Sequence, residues 1–229
     1  VENGIDRAST RERVVAAAEL LVAAALVVGA NVFDVVPVSE TPWLVILGWI
    51  SLRRRKLGWR SVGLRRPKSW MATIGIALIA GAALQVLSEY VIEPLLERAT
   101  GHAPDLSEFQ SLVGNLPASL GMLGLVWTLA AFGEEMAYRG YILERGATLG
   151  RRSPSAYFCS MVIVSALFGI GHLYQGWAGV IGSTVSGLYF GGLYLAAGRN
   201  LWLPILAHGF SDTIGLAIIY LGLVPNLGG

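Results

Sequence analysis

Cysteine, charge and the motifs of soluble hydrolases are what this chain has least of. A single cysteine, Cys159, in 229 residues excludes an intramolecular disulfide. No histidine or basic residue stands close to Cys159 in sequence, which argues against a thiol nucleophile. Charged residues make up 14% of the chain, where a soluble domain carries about 25%. Neither G-x-S-x-G nor H-E-x-x-H occurs, and Ser165 and Ser186 have no nucleophile signature around them. Asp212 has no second intramembrane aspartate in a recognisable motif, so an aspartyl mechanism is disfavoured along with a serine one.

What the chain has instead is apolar length. Hydrophobic residues make up 54% of it, and its mean hydropathy is +0.60. These values read as an all-α, polytopic membrane bundle, a single domain over 1–229 with no room for a large soluble module. Residues 1–13 form a polar N-terminal segment, and the apolar stretch after it reads as a retained span, not a cleaved leader. Spans are expected at Val14–Val36, Trp70–Ile92, about Ala118–Arg145, Pro154–His172, Trp177–Gly198 and Leu201–Val224. Pro37 to Pro42 reads as a turn, and Trp43 to Leu52 as a shorter, tilted or interfacial helix. That makes about seven to eight transmembrane helices.

Charge gives the orientation. Between Leu52 and Trp70 lie eight basic residues and no acidic one, so the 53–69 loop is expected to be cytoplasmic. Its other expected effect is attraction to anionic lipid, and no nucleic-acid partner is expected. Arg151-Arg152 and Arg199-Asn200 read as cytoplasmic turns. Residues 93–111 hold Glu93, Glu97, Asp105 and Glu108 against one Arg98, which fits the extracytoplasmic side; His102 reads there as a solvated loop histidine.

Against this background three patterns in the 112–220 half stand out: Glu134-Glu135-x-x-x-Arg139, Phe168-x-x-x-His172 and His208-x-x-x-Asp212. Ionisable groups at membrane depth are costly and point to a working site. Glu135 and Arg139 share a helical face and are expected to pair. Glu134 is then free to face a cavity, where a carboxylate can act as general base and then acid. Glu134 with His172 could polarise one water, and His208 with Asp212 could steady the oxyanion of a tetrahedral intermediate. His208 lies about seven residues into its span, roughly 10 Å deep, and His172 reads as deeper. Phe168 is expected to pack against the site or help exclude water, and Tyr138 to reach a substrate carbonyl. Glu134, His172 and His208 could instead hold one divalent metal such as zinc, with water as the fourth ligand. A purely structural reading also stands: the same groups can brace helices in a non-catalytic, immunity- or chaperone-like membrane protein. A proton-relaying transporter is less favoured, because no inverted repeat is visible.

The order of the three motifs resembles the CPBP family, the CAAX proteases and bacteriocin-processing (Abi-type) intramembrane proteases. The resemblance covers roughly Leu112 to Tyr220; the basic loop with Trp59 and Gly63-Leu64 also looks familial. It implies about eight transmembrane helices and hydrolysis of a peptide bond in a membrane protein or peptide within the bilayer. By motif, Glu134 is the base, Glu135 and Arg139 support it, His172 helps activate water, and His208 with Asp212 forms the oxyanion site. The family's last motif often ends in asparagine where this chain has Asp212. The family is labelled metallopeptidase, although a metal-free glutamate mechanism is equally compatible with these residues. The short, loop-poor chain suggests a bacterial cytoplasmic-membrane protein, with bacteriocin immunity or peptide maturation among the expected roles.

Overall fold

A computed structural model of the chain describes residues 8–224. Residues 1–7 of the polar N-terminal segment lie outside the described residues, and the chain is helical from Thr10. The described residues are helical and form no strand. The main helices are α1 (Thr10–Asn31), α2 (Glu40–Arg54), α3 (Trp70–Thr100), α4 (Leu116–Leu149), α5 (Pro154–Ile170), α6 (Gly176–Ala196) and α7 (Trp202–Tyr220). Five of them, α1, α3, α4, α6 (with the short turn Leu173–Gln175 before it) and α7, are long and apolar enough to cross a membrane, and α5 is a shorter apolar helix. The protein is an integral membrane bundle.

Helix starts follow local chemistry. Ser9, Ser69, Asn115 and Ser153 each accept a hydrogen bond from the backbone N–H three residues on, which satisfies a donor that the first turn leaves free. Pro117 and Pro154 sit in the first turns of α4 and α5, where a missing N–H costs nothing. Pro204 lies likewise in the first turn of α7 and does not interrupt it. The expected turn at 37–42 is shorter than the prolines suggest. Helix α2 starts at Glu40, and Pro42 falls in its first turn.

The outward surface is apolar. Leu21, Ile79, Ile163 and Leu120 are all largely exposed, which suits lipid and not water. Inside, Val27, Leu44, Tyr141, Phe168, Tyr194 and Ile205 join α1, α2, α4, α5, α6 and α7 in one core. A second cluster, including Ala77, Ala80, Leu84, Phe190 and Ala207, joins α3, α6 and α7.

The end of the bundle that carries the basic loop is closed by polar clamps. Glu19 of α1 takes Arg145 Nε at 2.6 Å, Ser51 Oγ at 2.8 Å and Tyr141 Oη at 3.2 Å. Glu144 takes Tyr194 Oη at 2.7 Å, Tyr157 Oη at 3.0 Å and Arg199 at 3.3 Å. The basic loop docks here through Gly63, whose carbonyl accepts from Leu201 N at 3.0 Å. Gly63 has φ +111°, and a Cβ there would meet the Arg199 carbonyl, so only glycine suits this docking.

Close backbone approach holds α3 to α7. A Cβ on Gly81 would lie 2.6 Å from the Ala207 carbonyl oxygen and 2.9 Å from Ser211 N. Gly75, one face round the same helix, has open space beside it. Gly81→Val should therefore destabilise the detergent-purified protein by about 1–3 kcal/mol, seen as a lower Tm. Gly75→Val should cost much less, and equal losses from the two would contradict this packing.

Candidate active site

Helix α4 carries the first motif in an unusual stretch of backbone. From Val126 to Leu143 it hydrogen-bonds in the wider π pattern over 18 residues. Such turns are rare and occur often at functional sites. Glu134 and Glu135 lie midway along it.

Glu135 is fully buried, and one of its oxygens organises its surroundings. Its Oε1 accepts from Arg139 Nη1 at 2.6 Å and faces His208 Nδ1 at 3.0 Å. Arg139 also donates to the Gly187 carbonyl of α6 at 3.1 Å. Its guanidinium lies 4.7 Å over the Phe168 ring and 5.5 Å over Phe190, an apolar enclosure that suits a weakly hydrated cation. His208 stacks on Phe190 at 4.5 Å and reaches Asp212 Oδ2 with Nε2 at 3.3 Å. A chain of contacts thus runs Arg139–Glu135–His208–Asp212, from full burial to a partly exposed carboxylate.

Tautomers follow from the partners. An ionised carboxylate only accepts, so His208 Nδ1 carries a proton toward Glu135. A hydrogen bond between Nε2 and Asp212, 3.3 Å apart, would need one further proton on either partner. His172 Nδ1 stands 3.0 Å from the Phe168 carbonyl, which also only accepts. His172 therefore donates there and keeps Nε2 for a partner in the cavity.

Two cavities meet at these residues. The first, about 660 Å³, lies under the loop between α1 and α2 and is lined by Asp34, Val38, Glu40, Gly171 and others. The second, about 480 Å³, lies among α3, α4, α6 and α7, and its walls include Leu84, Leu129, Phe168, Phe190, His208 and Asp212. Glu134, His172 and Tyr174 line both. Glu134 Oε2 is buried and has no hydrogen-bond partner in the protein. Unpaired buried polar atoms are uncommon, and Glu135 Oε2 and both terminal nitrogens of Arg145 share this condition. No lysine or arginine lines either cavity, whereas Asp34, Glu40, Glu89, Glu93, Glu134 and Asp212 do.

The site residues read from the sequence therefore converge, with one difference of detail. Tyr138 does not face the cavities. It is buried, and its hydroxyl donates to Glu40 Oε1 at 2.8 Å, so it supports the site from behind. Phe168 does line the second cavity, while its ring packs on Arg139, Tyr138 and His172. The sequence reading missed Glu40. This residue opens α2, is buried, and also accepts from Asn31 Nδ2 at 3.1 Å. The available signal was a Ser39-Glu40 pair ahead of an apolar run, a helix-start pattern in which an acid is favoured by the dipole.

The donor set fits a three-ligand metal poorly. Both ring nitrogens of His208 face carboxylates within the protein, Nδ1 toward Glu135 at 3.0 Å and Nε2 toward Asp212 at 3.3 Å, and neither points at His172 or Glu134 as a shared ligand set would. Among the described residues, no group of three or more His, Cys, Asp and Glu side chains is placed to hold one.

Residues 116–214 match the family model described as Type II CAAX prenyl endopeptidase Rce1-like. The match covers 99 of the 229 residues and lies in the motif-bearing part of the chain. No curated protein and no solved structure gives a match. The Rce1-like stretch runs from the first turn of α4 into α7 and contains Glu134, Glu135, Arg139, Phe168, His172, His208 and Asp212, but not Glu40. It is the family type that the three motifs resemble, and it supports a CAAX-type membrane protease.

The two glutamates differ in what they hold. Glu135→Gln disrupts a buried ion pair and should cost about 3–5 kcal/mol of stability. Glu134→Gln touches an oxygen with no partner and should stay within about 0.5 kcal/mol of the wild type. Thermal unfolding of the two variants in detergent tests this, and the reverse order would contradict the assignment.

Proposed function

We propose that the protein is an intramembrane endopeptidase that hydrolyses a peptide bond in a membrane-associated protein or peptide. In this reading Glu134 and His172 hold one water where the two cavities meet. Glu134 takes a proton as the water oxygen attacks the scissile carbonyl carbon. The carbonyl oxygen gains charge and is met by the proton held between His208 and Asp212. Collapse breaks the C–N bond, and Glu134 returns the proton to the leaving amine. Glu135 and Arg139 fix the backbone and the His208 ring without touching substrate.

The observation that carries this reading is that half-buried Glu134 lines both cavities together with His172, in a space also bounded by His208 and Asp212. Because His208 is committed to two carboxylates, the proposed hydrolysis uses no metal.

Two outcomes follow. In a cleavage assay in liposomes, Glu134→Gln should lower the rate about 100-fold or more while the protein still inserts. A chelator should leave the wild-type rate unchanged; loss with chelator would point to zinc. Full activity in Glu134→Gln would favour a non-catalytic, immunity- or chaperone-like role. Secondly, acidic walls with no lysine or arginine should favour cationic peptides. A test peptide flanked by lysines should be cleaved with a lower KM than the same peptide flanked by glutamates, and the difference should shrink with added salt. A preference for the acidic peptide would contradict the reading of the cavity walls.

A further inference from the structure

The side from which substrate arrives can be read by setting the cavities against the charge pattern. Basic residues gather at one end of the bundle. They are Arg11 and Arg13 at the start of α1, the eight in the 53–69 loop, Arg151-Arg152 between α4 and α5, and Arg199 between α6 and α7. The opposite end comprises the 32–39 loop, the 101–115 loop and the 171–175 turn, which contain no lysine or arginine; Arg98, in the last turn of α3, is the one basic residue beside them. By the positive-inside rule the first end is cytoplasmic and the second extracytoplasmic.

Every loop residue that lines a cavity belongs to the second end. Asp34 and Val38 line the first cavity, and Leu106 and Phe109 line the second. Helix residues on the walls agree: Glu89 and Glu93 lie late in α3, Met122 and Leu125 early in α4, and Ile219 late in α7. No residue of the 53–69 loop, the 150–153 turn or the 197–201 turn lines either space. Toward the cytoplasm the path is blocked by the buried Glu19–Arg145 and Glu144–Tyr194 clamps.

We propose that the site is served from the extracytoplasmic side. Its substrate class is then the extracytoplasmic, membrane-proximal segment of an exported or membrane-anchored polypeptide, not the C-terminus of a cytosolic protein. The assignment rests on the protease reading for the word substrate, but the direction of access does not depend on catalysis.

Single-cysteine labelling tests it in the Cys159→Ser background, with Glu134 intact. Val38→Cys at the rim of the first cavity is compared with Lys56→Cys in the basic loop, using a membrane-impermeant maleimide. In spheroplasts with intact membranes Val38→Cys should label and Lys56→Cys should not; in inverted vesicles the pattern should reverse. Asp34→Cys gives the same readout should Val38→Cys fail to accumulate. Labelling of the rim cysteines only in inverted vesicles would overturn the proposal and leave the hydrolytic reading in place. Retained cleavage by Glu134→Gln would remove the hydrolytic reading and leave the labelling pattern unchanged.

Discussion

One buried oxygen, Glu135 Oε1, orders this site. It faces Arg139 one turn on in α4 and His208 of α7, in surroundings with no exposure to solvent. Taking such charges out of water is costly, and the cost is offset only by close geometry and enclosing groups. Phe168 of α5 and Phe190 of α6 supply the enclosure, and Gly187 of α6 takes the remaining guanidinium bond. A single carboxylate oxygen thus reaches elements of four helices and sets the ring orientation of His208. The Asp212 contact follows from that orientation.

Around this fixed point the two neighbouring glutamates of α4 divide the labour. Glu135 is fully buried and holds Arg139 and His208 with one oxygen, whereas Glu134 is half-buried and lines both cavities. The wide backbone of α4 carries both, and close glycine contacts such as Gly81 on α7 bring the surrounding helices near enough to form walls. At the end that carries the basic loop, clamps at Glu19 and Glu144 hold the helices together instead of a pocket.

The three motifs were legible in the sequence because each is local. Glu135 and Arg139 meet four residues apart, and so do His208 and Asp212, as helical spacing requires. The basic loop and the capping residues Ser69 and Ser153 were equally local signals. What escaped depends on contacts between distant segments. Glu40 meets Tyr138 across 98 positions, and nothing near either residue announces the pair. Prolines 37 and 42 suggested a turn at the place where α2 begins. Tyr138, read as a substrate contact, is turned away because Glu40 holds its hydroxyl. Spans were bounded to within a few residues except α3, which continues past Ile92 to Thr100.

The account stands on water at one atom inside a bilayer. Water-edited solid-state NMR of protein in lipid, with the Glu134 carboxyl carbon labelled, measures this directly. Magnetisation from mobile water should reach the Glu134 carboxyl rapidly, and should reach that of Glu135 far more slowly. Equal, slow transfer to both would mean that Glu134 is as dry as its neighbour, and a hydrolytic site could not lie there.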